Sequence, residues 1–525
     1  MPAPSAPELG DDDALSAGVG AREVDRPTVF AAALLVAVGG IVYELILGTA
    51  ASTLFGDSVV AYSLATGVTL FGMGIGSLLA GRLQHDPGLN FVRNEVVLAL
   101  LGGCSVLVLY WAFAASAAYW VVFAVLSLAI GAAIGVEIPL LMALLRHQGS
   151  ADGVTLLSRV LALDYFGALV ASLLFPFVLL PHLGLVRTAL AMALLNVAVA
   201  VFMLGRMRLS RRWSWTSVLA LVMIAALYLS ASRLEGVLSA RLYQDPVVHA
   251  QTSAYQRIVV TDYRNDVRLY LDNQLQFSSL DEARYHETLA HAALTSVQAP
   301  DSVLILGGGD GLLTREVLRY DSVTEVTVVD LDRAVTDLAR SDPRLRLLNE
   351  GALDDPRVTV VNADAFGWLR GSSVEFDVVL VDLVDPADER LAKLYSQEFA
   401  GMVAAHLRPG GVAITQATST YFTPRAFWQV VDTVQAATPE RTVVPLSVNV
   451  PSFGEWGFVL SLPAGETTPM ARTPLPTGLR FHDGDSLRAT TALSGDNPEQ
   501  HPGPSTLMSP TIQRTYREDM AQWRY

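Results

Sequence analysis

The C-terminal half of this chain takes its architecture from one segment, Val303-Leu304-Ile305-Leu306-Gly307-Gly308-Gly309-Asp310-Gly311. Four apolar residues in a row are typical of a strand that is buried on both faces. The glycines that follow allow a tight turn and a close approach of the backbone to a ligand. With the helical pattern that continues through Arg319, the segment predicts the first strand, loop and helix of a parallel sheet.

Three further apolar runs follow this segment, and an aspartate comes after each of them. Asp330 follows residues 326–329, Asp364 follows residues 358–361, and Asp382 follows residues 378–381. Strands that alternate with helices indicate a doubly wound parallel sheet, a Rossmann-like fold of the methyltransferase type. Ligands of such sheets bind at the carboxyl ends of the strands, so we expect the three aspartates to lie at one binding site.

The residues on either side of this sheet complete the predicted C-terminal half. Short β-type runs at 257–260 and 268–271, with a turn at Asp272-Asn273, predict a small β domain over residues 247–290. The Rossmann-like domain is expected over 291–470. Residues 471–525 are predicted to be a C-terminal tail, with a flexible segment near 494–505 and a short helix after Thr511.

The N-terminal half consists mainly of apolar runs. Of the 525 residues, 51% are hydrophobic and only 17% are charged. Residues 1–27 are rich in Pro, Gly, Ala and acid and are predicted to be a disordered tail. Crossing a bilayer takes about 20 helical residues, so residues 28–232 predict a transmembrane bundle of about seven helices. The predicted spans are 28–50, 58–81, 95–117, 119–145, 160–181, 185–205 and 213–232.

Two kinds of residue stand out inside these apolar runs. Glycines in the second run (Gly72, Gly74, Gly76) and in the fourth (Gly131, Gly135) favour close packing of helix backbones in lipid. Carboxylates inside a bilayer are costly and indicate either a functional site, such as a polyamine or proton pathway, or groups satisfied by a partner. The acids concerned are Glu44, Glu95, Glu137 and Asp164.

The charge balance and the cysteine content narrow the function classes. The formal net charge is −15, which argues against nucleic acid as a partner and favours cations such as polyamines. Cys104 is the only cysteine of the chain, so no intramolecular disulfide, Cys-rich zinc site or thiol redox pair can form.

The acids around the glycine loop indicate the kind of ligand. Asp330 follows the start of the loop by about 20 residues, the separation at which an acid contacts ribose hydroxyls in a βαβ unit. Asp310 within the loop would repel a pyrophosphate, so a nucleoside with a cationic tail fits better than NAD or ATP. The alternative interpretation of Asp310 is that it caps the following helix.

Taken together, these motifs resemble the spermidine synthase, or polyamine aminopropyltransferase, family. The resemblance spans most of residues 250–460 and rests on Tyr255-Gln256, Asp281-Glu282, Tyr285-His286-Glu287, the loop Gly307 to Gly311, Asp364-Ala365, Asp382-Leu383-Val384-Asp385-Pro386, Leu394-Tyr395, Gln416 and the segment Pro451 to Phe458. The apolar half is similar to the membrane-bound branch of that family at Val42-Tyr43-Glu44-Leu45, Glu137-Ile138-Pro139 and Leu163-Asp164-Tyr165-Phe166-Gly167.

The resemblance implies transfer of an aminopropyl group from decarboxylated S-adenosylmethionine to putrescine or a related polyamine, with no metal or resident cofactor. It implies that Asp382 is the catalytic proton acceptor and that Asp385 binds the far ammonium of the acceptor. The residues expected to line the nucleoside site are Gln256, Asp310, Asp330, Asp364 and Ala365, and those expected to border the polyamine channel are Tyr285 and His286.

Several alternatives remain open for these residues. His286 could simply be a packed histidine, and Trp456 and Phe458 are expected to belong to the core rather than to contact substrate. Leu383-Val384 stands where the family usually has small hydroxyl residues, and Phe453 stands where it often has an acceptor-contacting tyrosine. These departures bear on the identity of the acceptor. The rival functions are an S-adenosylmethionine-dependent methyltransferase and a catalytically silent polyamine transporter or sensor.

The expected location is the cell membrane, with a multi-pass bundle in the lipid bilayer and a cytoplasmic catalytic domain. A homodimer is among the expected assemblies. Loop arginines such as Arg82, Arg146 and Arg206 place the N-terminus inside by the positive-inside rule. Seven spans would then place the catalytic domain outside, away from an intracellular cosubstrate. Of the helix count, the charge rule and the location of the chemistry, the helix count is the weakest.

Overall fold

The computed structural model describes residues 25–55, 58–115, 118–146, 153–207, 211–243, 245–466 and 469–523. The chain forms two compact units, Met1–Leu238 and Ser239–Tyr525. Nearly all of the predicted N-terminal tail, residues 1–24, lies outside the described residues, and the first helix begins at Arg26.

The first unit is helical. Its helices are α1 (Arg26–Phe55), α2 (Ser58–Ala80), α3 (Pro87–Ala114), α4 (Tyr119–Arg146), α5 (Gly153–Leu174), α6 (Leu180–Met207) and α7 (Arg211–Leu242). A π-helical turn, Phe175–Leu179, joins α5 to α6, and Gly184 interrupts the start of α6 with a φ of 70°. By length and composition, five stretches of the described residues could each cross a membrane, and one of them is the 55-residue stretch Gly153–Met207.

Four of the predicted glycines bring α2 and α4 into close contact. A Cβ added at Gly76 would lie 2.0 Å from the carbonyl oxygen of Ala132, and one added at Gly135 would lie 2.1 Å from that of Met73. Gly72 and Gly131 are equally close to the backbone of the facing helix. Glycine is therefore required at this crossing, which confirms the prediction for these four, whereas Gly74 faces open space.

One of the acids within the apolar runs has a clear partner. The Thr66 hydroxyl donates a hydrogen bond to Glu44 Oε1 at 2.6 Å. Glu95 and Glu137 are buried and their side chains contact each other. For Glu44 the structure agrees with the interpretation that the acid is satisfied by a neighbour.

The second unit begins with a four-stranded antiparallel sheet in the order β1-β2-β3-β4. Its strands are β1 (Val247–Thr252), β2 (Arg257–Tyr263), β3 (Asp266–Leu271) and β4 (Gln274–Ser278). Asp272 and Asn273 connect β3 to β4 with φ values of 46° and 67°, a left-handed conformation that these two residue types tolerate better than most. The turn thus lies where the sequence predicts it.

The main sheet has seven strands in the order β10-β11-β9-β8-β5-β6-β7. They are β5 (Ser302–Gly307), β6 (Glu325–Asp330), β7 (Val358–Asn362), β8 (Phe376–Asp382), β9 (Leu407–Ser419), β10 (Thr442–Val450) and β11 (Gly454–Leu462). Strands β9, β8, β5, β6 and β7 are parallel to one another, whereas β11 is antiparallel to both β9 and β10. The predicted α/β architecture is confirmed.

Helices connect these strands and cover both faces of the sheet. They are α8 (Glu282–Leu294), α9 (Leu312–Val317), α10 (Arg333–Ser341), α11 (Pro343–Leu348), α12 (Ala365–Gly371), α13 (Glu389–Ala392), α14 (Gln397–Ala405), α15 (Pro424–Ala437), α16 (Gly484–Ala489) and α17 (Thr511–Ala521). Strand β5 shows why its apolar run is continuous. Ile305 packs in the same cluster as Leu289 of α8, whereas Leu304 packs on the other side with Leu369 of α12.

The parallel register brings the predicted acids to one edge of the sheet. Gly307 at the end of β5 pairs with Asp382 at the end of β8, and Asp330 at the end of β6 pairs with Asn362. This alignment positions the site described below.

The segment 471–525 is not a loose tail in its described part, contrary to the prediction. Glu287 of α8 accepts hydrogen bonds from the backbone N–H groups of Arg480, Phe481 and His482 at 2.7–3.0 Å. Within the stretch expected to be flexible, Ser505 is fully buried. The sequence pattern missed this packing because the segment is fixed by side chains far away along the chain rather than by its own apolar periodicity.

Helix α17 is fastened to the first turn of α15. Asp519 is almost fully buried, and its Oδ2 accepts hydrogen bonds from the backbone N–H groups of Arg425 and Ala426 at 2.9 and 3.1 Å. These are N–H groups that a helix start leaves without partners of its own. The carboxylate of one helix therefore caps the other.

We expect Asp519→Ala to lower the free energy of unfolding by about 1–2 kcal/mol, because two buried donors lose their acceptor. A domain of this size should then melt a few degrees lower, as measured by tryptophan fluorescence of the full chain. Glu518→Ala is the matched control, since Glu518 is exposed and its ion pair with Arg425 contributes little. Equal melting temperatures for the two variants would contradict this cap.

Candidate active site

A cavity of about 370 Å³ opens at the carboxyl ends of the parallel strands. Its size falls in the range of small-molecule sites. Every residue of its lining belongs to the second unit. The lining includes all nine residues singled out from the sequence, namely Gln256, Tyr285, His286, Asp310, Asp330, Asp364, Ala365, Asp382 and Asp385.

The glycine loop holds Asp330 in place. The Gly309 N–H donates to Asp330 Oδ2 at 3.0 Å, and a Cβ at Gly309 would lie 2.5 Å from that oxygen, so only glycine fits. The Asp332 N–H donates to the other oxygen at 2.8 Å. Burial raises the pKa of Asp330 to about 6 against the effect of these two hydrogen bonds.

Asp310 contacts the start of α9. Its Oδ1 accepts a hydrogen bond from the Leu312 N–H at 2.8 Å, although the N-cap position of α9 is Gly311 rather than Asp310. The residue also lines the cavity. Burial raises the pKa of Asp310, and the positive charge of His286 acts in the opposite direction.

Gln256 reaches the cavity from the small β domain. Its Nε2 donates to Asp332 Oδ2 at 3.2 Å, and the Ser253 hydroxyl donates to the same oxygen at 2.6 Å. Asp332 also caps α10 through the Ala334 N–H at 3.0 Å. Asp332 therefore orients Gln256, a role that the sequence did not reveal.

Asp364 is already paired on one side. Its carboxylate caps α12 through the Gly367 N–H at 3.1 Å and contacts Lys393 Nζ at 3.0 Å. Lys393 also lies over the ring of Phe366, 5.6 Å from its centroid. Ala365, next in the chain, is buried in the lining.

Tyr285 holds Asp382 at the end of β8. The Tyr285 hydroxyl donates to Asp382 Oδ1 at 2.7 Å, and its ring packs against Phe453 and Phe458 with centroids 6.0 and 5.1 Å apart. Burial raises the pKa of Asp382 to about 6, although the charge of His286 and the Tyr285 hydroxyl both lower it. Phe458 is a core residue as predicted, but Trp456 lines the cavity, contrary to the expectation.

His286 is the cation among these acids. Its Nδ1 lies 3.0 Å from Glu282 Oε2, and Glu282 also pairs with Arg315 at 3.0 Å and with Arg480. Burial alone would lower the pKa of His286, but Glu282 outweighs it and raises the pKa to about 9. A pKa of about 9 makes His286 an imidazolium at neutral pH, and the residue lies in the cavity lining.

The carboxylate of Asp385 accepts a hydrogen bond from helix α17. The Tyr516 hydroxyl of α17 donates to Asp385 Oδ2 at 2.9 Å, whereas the buried Oδ1 has no hydrogen-bond partner among the described residues. Burial raises the pKa of Asp385 to about 6, and the Tyr516 hydroxyl lowers it. Tyr516 was not predicted, because it lies in the segment taken for a tail.

The arrangement defines a class of protein. Five aspartates line the cavity, and the positive charges beside them, His286 and Lys393, are already paired with acids. Such a site attracts cations. Aspartates at the strand ends of a doubly wound sheet can also accept hydrogen bonds from ribose hydroxyls. The site is therefore typical of an α/β enzyme that binds a nucleoside and an amine.

Comparisons with known proteins make the class specific. Residues 282–470 match the family described as "Spermine/spermidine synthase domain". The chain is 43% identical over 505 residues to "Polyamine aminopropyltransferase 1" of Streptomyces coelicolor, covering 94% of each chain. It is 42% identical over 499 residues to "Polyamine aminopropyltransferase 2" of Ralstonia nicotianae, covering 93% of this chain and 97% of the other.

A crystal structure of spermidine synthase with the transition-state analogue AdoDATO is 26% identical, covers 48% of this chain and 86% of its own, and superposes with a TM-score of 0.44. Because relatives above 40% identity extend over nearly the whole chain, this protein belongs to the polyamine aminopropyltransferase family. The predicted family and the predicted enzyme class are confirmed.

We expect the affinity of this site for putrescine to fall as the pH drops from about 7 to about 5. The diamine stays fully protonated in this window, since alkyl ammonium groups lose their protons near pH 10, so only the carboxyls change charge. Asp382 and Asp385 both have pKa values of about 6. Calorimetric titration at several pH values measures the effect.

Tyr285→Phe should move this loss of affinity to higher pH, because the Tyr285 hydroxyl favours the ionised form of Asp382. Tyr263→Phe is the matched control, since Tyr263 is exposed and lies outside the cavity lining. A binding constant that is flat between about pH 5 and pH 7 would show that these carboxyls do not bind the amine.

Proposed function

We propose that this enzyme transfers an aminopropyl group from decarboxylated S-adenosylmethionine to putrescine or a closely related diamine, giving spermidine and methylthioadenosine. The observation that carries the proposal is the pair Asp382 and Asp385, two half-buried carboxyls in one cavity, each held by a tyrosine hydroxyl. Two anchors of this kind suit the two ammonium groups of a diamine. Neither a metal nor a resident cofactor takes part in the proposed reaction, because the sulfonium is already a good leaving group.

The donor would be bound by the lining residues near the glycine loop. Asp330 and Asp364 would bind the ribose and the base, with Gln256 and Ala365 beside them. The carboxylates around the loop favour a donor whose tail carries positive charge only. Intact S-adenosylmethionine has in addition a carboxylate, which Asp310 would repel.

The transfer requires a neutral amine aligned with a carbon atom of the donor. In the proposed step, Asp382 accepts a proton from the near ammonium of the diamine, directly or through water. The freed nitrogen attacks the aminopropyl carbon bonded to sulfur, a C–N bond forms, and the C–S bond breaks with its electron pair going to sulfur. The products are a protonated triamine and a neutral thioether.

The surroundings of Asp382 support this role. Tyr285 fixes the carboxylate at 2.7 Å, and the charge of His286 stabilises its ionised form. Asp385 would hold the far ammonium, so that the attacking nitrogen is aligned before the reaction. Alignment of reactants accounts for a large part of the rate in reactions of this kind.

We expect Asp382→Asn to reduce the turnover number by about 10²–10⁴-fold, because the amide cannot accept the proton. The assay incubates the full-length protein with putrescine and measures spermidine. Asp337→Asn is the control, since Asp337 is a surface aspartate paired only with exposed Arg333. Near-normal activity of Asp382→Asn would reject the catalytic role of this residue.

The same assay separates the proposal from its rivals. Spermidine should form with the decarboxylated donor and not with S-adenosylmethionine, whereas a methylated amine would indicate a methyltransferase. Uptake of labelled putrescine into vesicles without turnover, unchanged in Asp382→Asn, would indicate a transporter.

We further propose that the helical unit lies in the cell membrane. Large apolar side chains on it are strongly exposed, including Leu229 at 84%, Leu78 at 80% and Phe71 at 67%. A soluble protein would bury such side chains in its interior, whereas in a membrane protein lipid covers them. The predicted homodimer stays a prediction.

With six membrane crossings, the positive-inside rule and a cytoplasmic catalytic unit no longer conflict. The stretch Gly153–Met207 has 55 residues, so at about 1.5 Å per residue it is long enough for two crossings. The apolar part of α7, Trp215–Ala231, is shorter than the about 20 residues that a crossing needs. If α7 lies along the inner surface, both the arginine-rich loops and the catalytic unit are cytoplasmic.

A tag fused after Tyr525 tests this topology. We expect the tag to resist protease in intact spheroplasts and to be cleaved after lysis, because six crossings return the chain to the inner side. A second tag in the loop between α3 and α4 is the control, as it should be cleaved in intact spheroplasts. Cleavage of both tags before lysis would indicate seven crossings and an outer C-terminal unit.

A further inference from the structure

Helix α17 supplies two side chains to the cavity although it lies outside the matched family domain. That domain ends at residue 470, whereas Tyr516 and Met520 line the cavity beside Asp385. They stand one turn apart on the helix and therefore share a face. The end of the chain thus forms part of the site.

The position of α17 is fixed from several sides. Asp519 caps α15, the Arg517 guanidinium donates to the Ala387 carbonyl at 3.2 Å, and the Trp523 indole N–H donates to the Phe422 carbonyl at 3.0 Å. Ala387 follows Asp385 closely in the chain, and Phe422 itself lines the cavity. The helix is therefore tied to the same segments that form the acceptor end.

Tyr516 determines how much of Asp385 is left for a substrate. One carboxylate oxygen, Oδ2, is taken by the Tyr516 hydroxyl, and the Gln416 side chain also stabilises the ionised carboxyl. The buried Oδ1 has no partner that meets hydrogen-bond geometry among the described residues. A buried carboxylate oxygen without a donor is costly, so it is a suitable site for one ammonium group. A second ammonium at the same carboxylate would have to displace Tyr516.

The cavity lining that includes Asp385 and Tyr516 also contains three uncharged side chains. These are Met520, which is 38% exposed, Phe422 and Trp456. If the third ammonium of a triamine lay against these side chains, it would lose water without gaining an acceptor. A diamine has charge only at its two ends, and Asp382 and Asp385 are partners for both.

We propose that α17 sets acceptor specificity: Tyr516 positions Asp385 for a single distal ammonium, and Met520 closes the site against amines with a further charge. This inference rests on the proposed function, since it concerns the acceptor of that reaction. Tyr516 acts through Asp385 and is a positioning residue, and Met520 is a specificity residue.

The first test is Tyr516→Phe. Loss of the hydroxyl leaves Asp385 less stabilised as a carboxylate, so we expect the KM for putrescine to rise about tenfold while the KM for the donor is unchanged. The rise in KM should be larger at about pH 6 than at about pH 8, because the pKa of Asp385 moves upward. Arg514→Ala, on the exposed face of the same helix, is the control and should leave both constants unchanged.

The second test introduces a charge at Met520 and does not depend on the tyrosine. Met520→Glu should raise the ratio of kcat/KM for spermidine to that for putrescine about tenfold, because a carboxylate now faces the third ammonium. Met520→Gln has the same shape without the charge and should change the ratio less than about twofold.

Two outcomes separate this inference from the proposed function. If the wild-type enzyme makes spermidine but Tyr516→Phe and Met520→Glu keep the wild-type KM and selectivity, then the assignment of α17 is wrong and the reaction stands. If the wild-type enzyme transfers no aminopropyl group, the reaction is wrong. Calorimetry of putrescine binding to the same variants then decides whether α17 still controls a diamine site.

Discussion

The buried ion pair of His286 and Glu282 is the interaction on which the charge balance of the cavity depends. Five aspartates line a space of about 370 Å³. Burial raises the pKa of Asp310, Asp330, Asp382 and Asp385, and repulsion from Asp310 adds to this at Asp330 and Asp382. The imidazolium of His286 opposes this rise in pKa at Asp310 and Asp382. It stays charged because Glu282 lies 3.0 Å from its Nδ1, and Glu282 is in turn held by two arginines. Without Glu282, only Asp310 and Asp382 would oppose the lowering of the His286 pKa by burial.

The clustering of carboxyls has a thermodynamic cost for the folded chain. Burial raises the pKa values of Asp330, Asp382 and Asp385 to about 6, above the usual value for aspartate. The folded state therefore binds more protons than the unfolded state between about pH 4 and pH 6, so the stability contributed by these groups falls as the pH rises through that window. Above about pH 6 this contribution to the stability of the folded state has been lost completely. A bound dication compensates the charge, which makes substrate binding and folding mutually favourable.

The sequence predicts the sheet edge well because two strong regularities coincide there. Continuous apolar strands mark a doubly wound sheet, and the parallel register then requires Asp330, Asp364 and Asp382 to meet. The partners of these acids could not be predicted in the same way. Tyr516 lies 131 residues beyond Asp385 in the chain, and only the tertiary fold brings them together. Lys393 beside Asp364 depends likewise on a side-chain contact that leaves no periodic pattern. Glu282 and His286, by contrast, are four residues apart on α8, a spacing from which their contact could have been predicted.

The docking of α17 also concerns the order in which the fold is completed. Glu287 of α8 binds the backbone at 480–482, and Asp519 of α17 caps the first turn of α15. Protein chains leave the ribosome from the N-terminus onward, so the sheet and its glycine loop emerge before α17. Under the role proposed for α17, the acceptor pocket is complete only after this helix has docked.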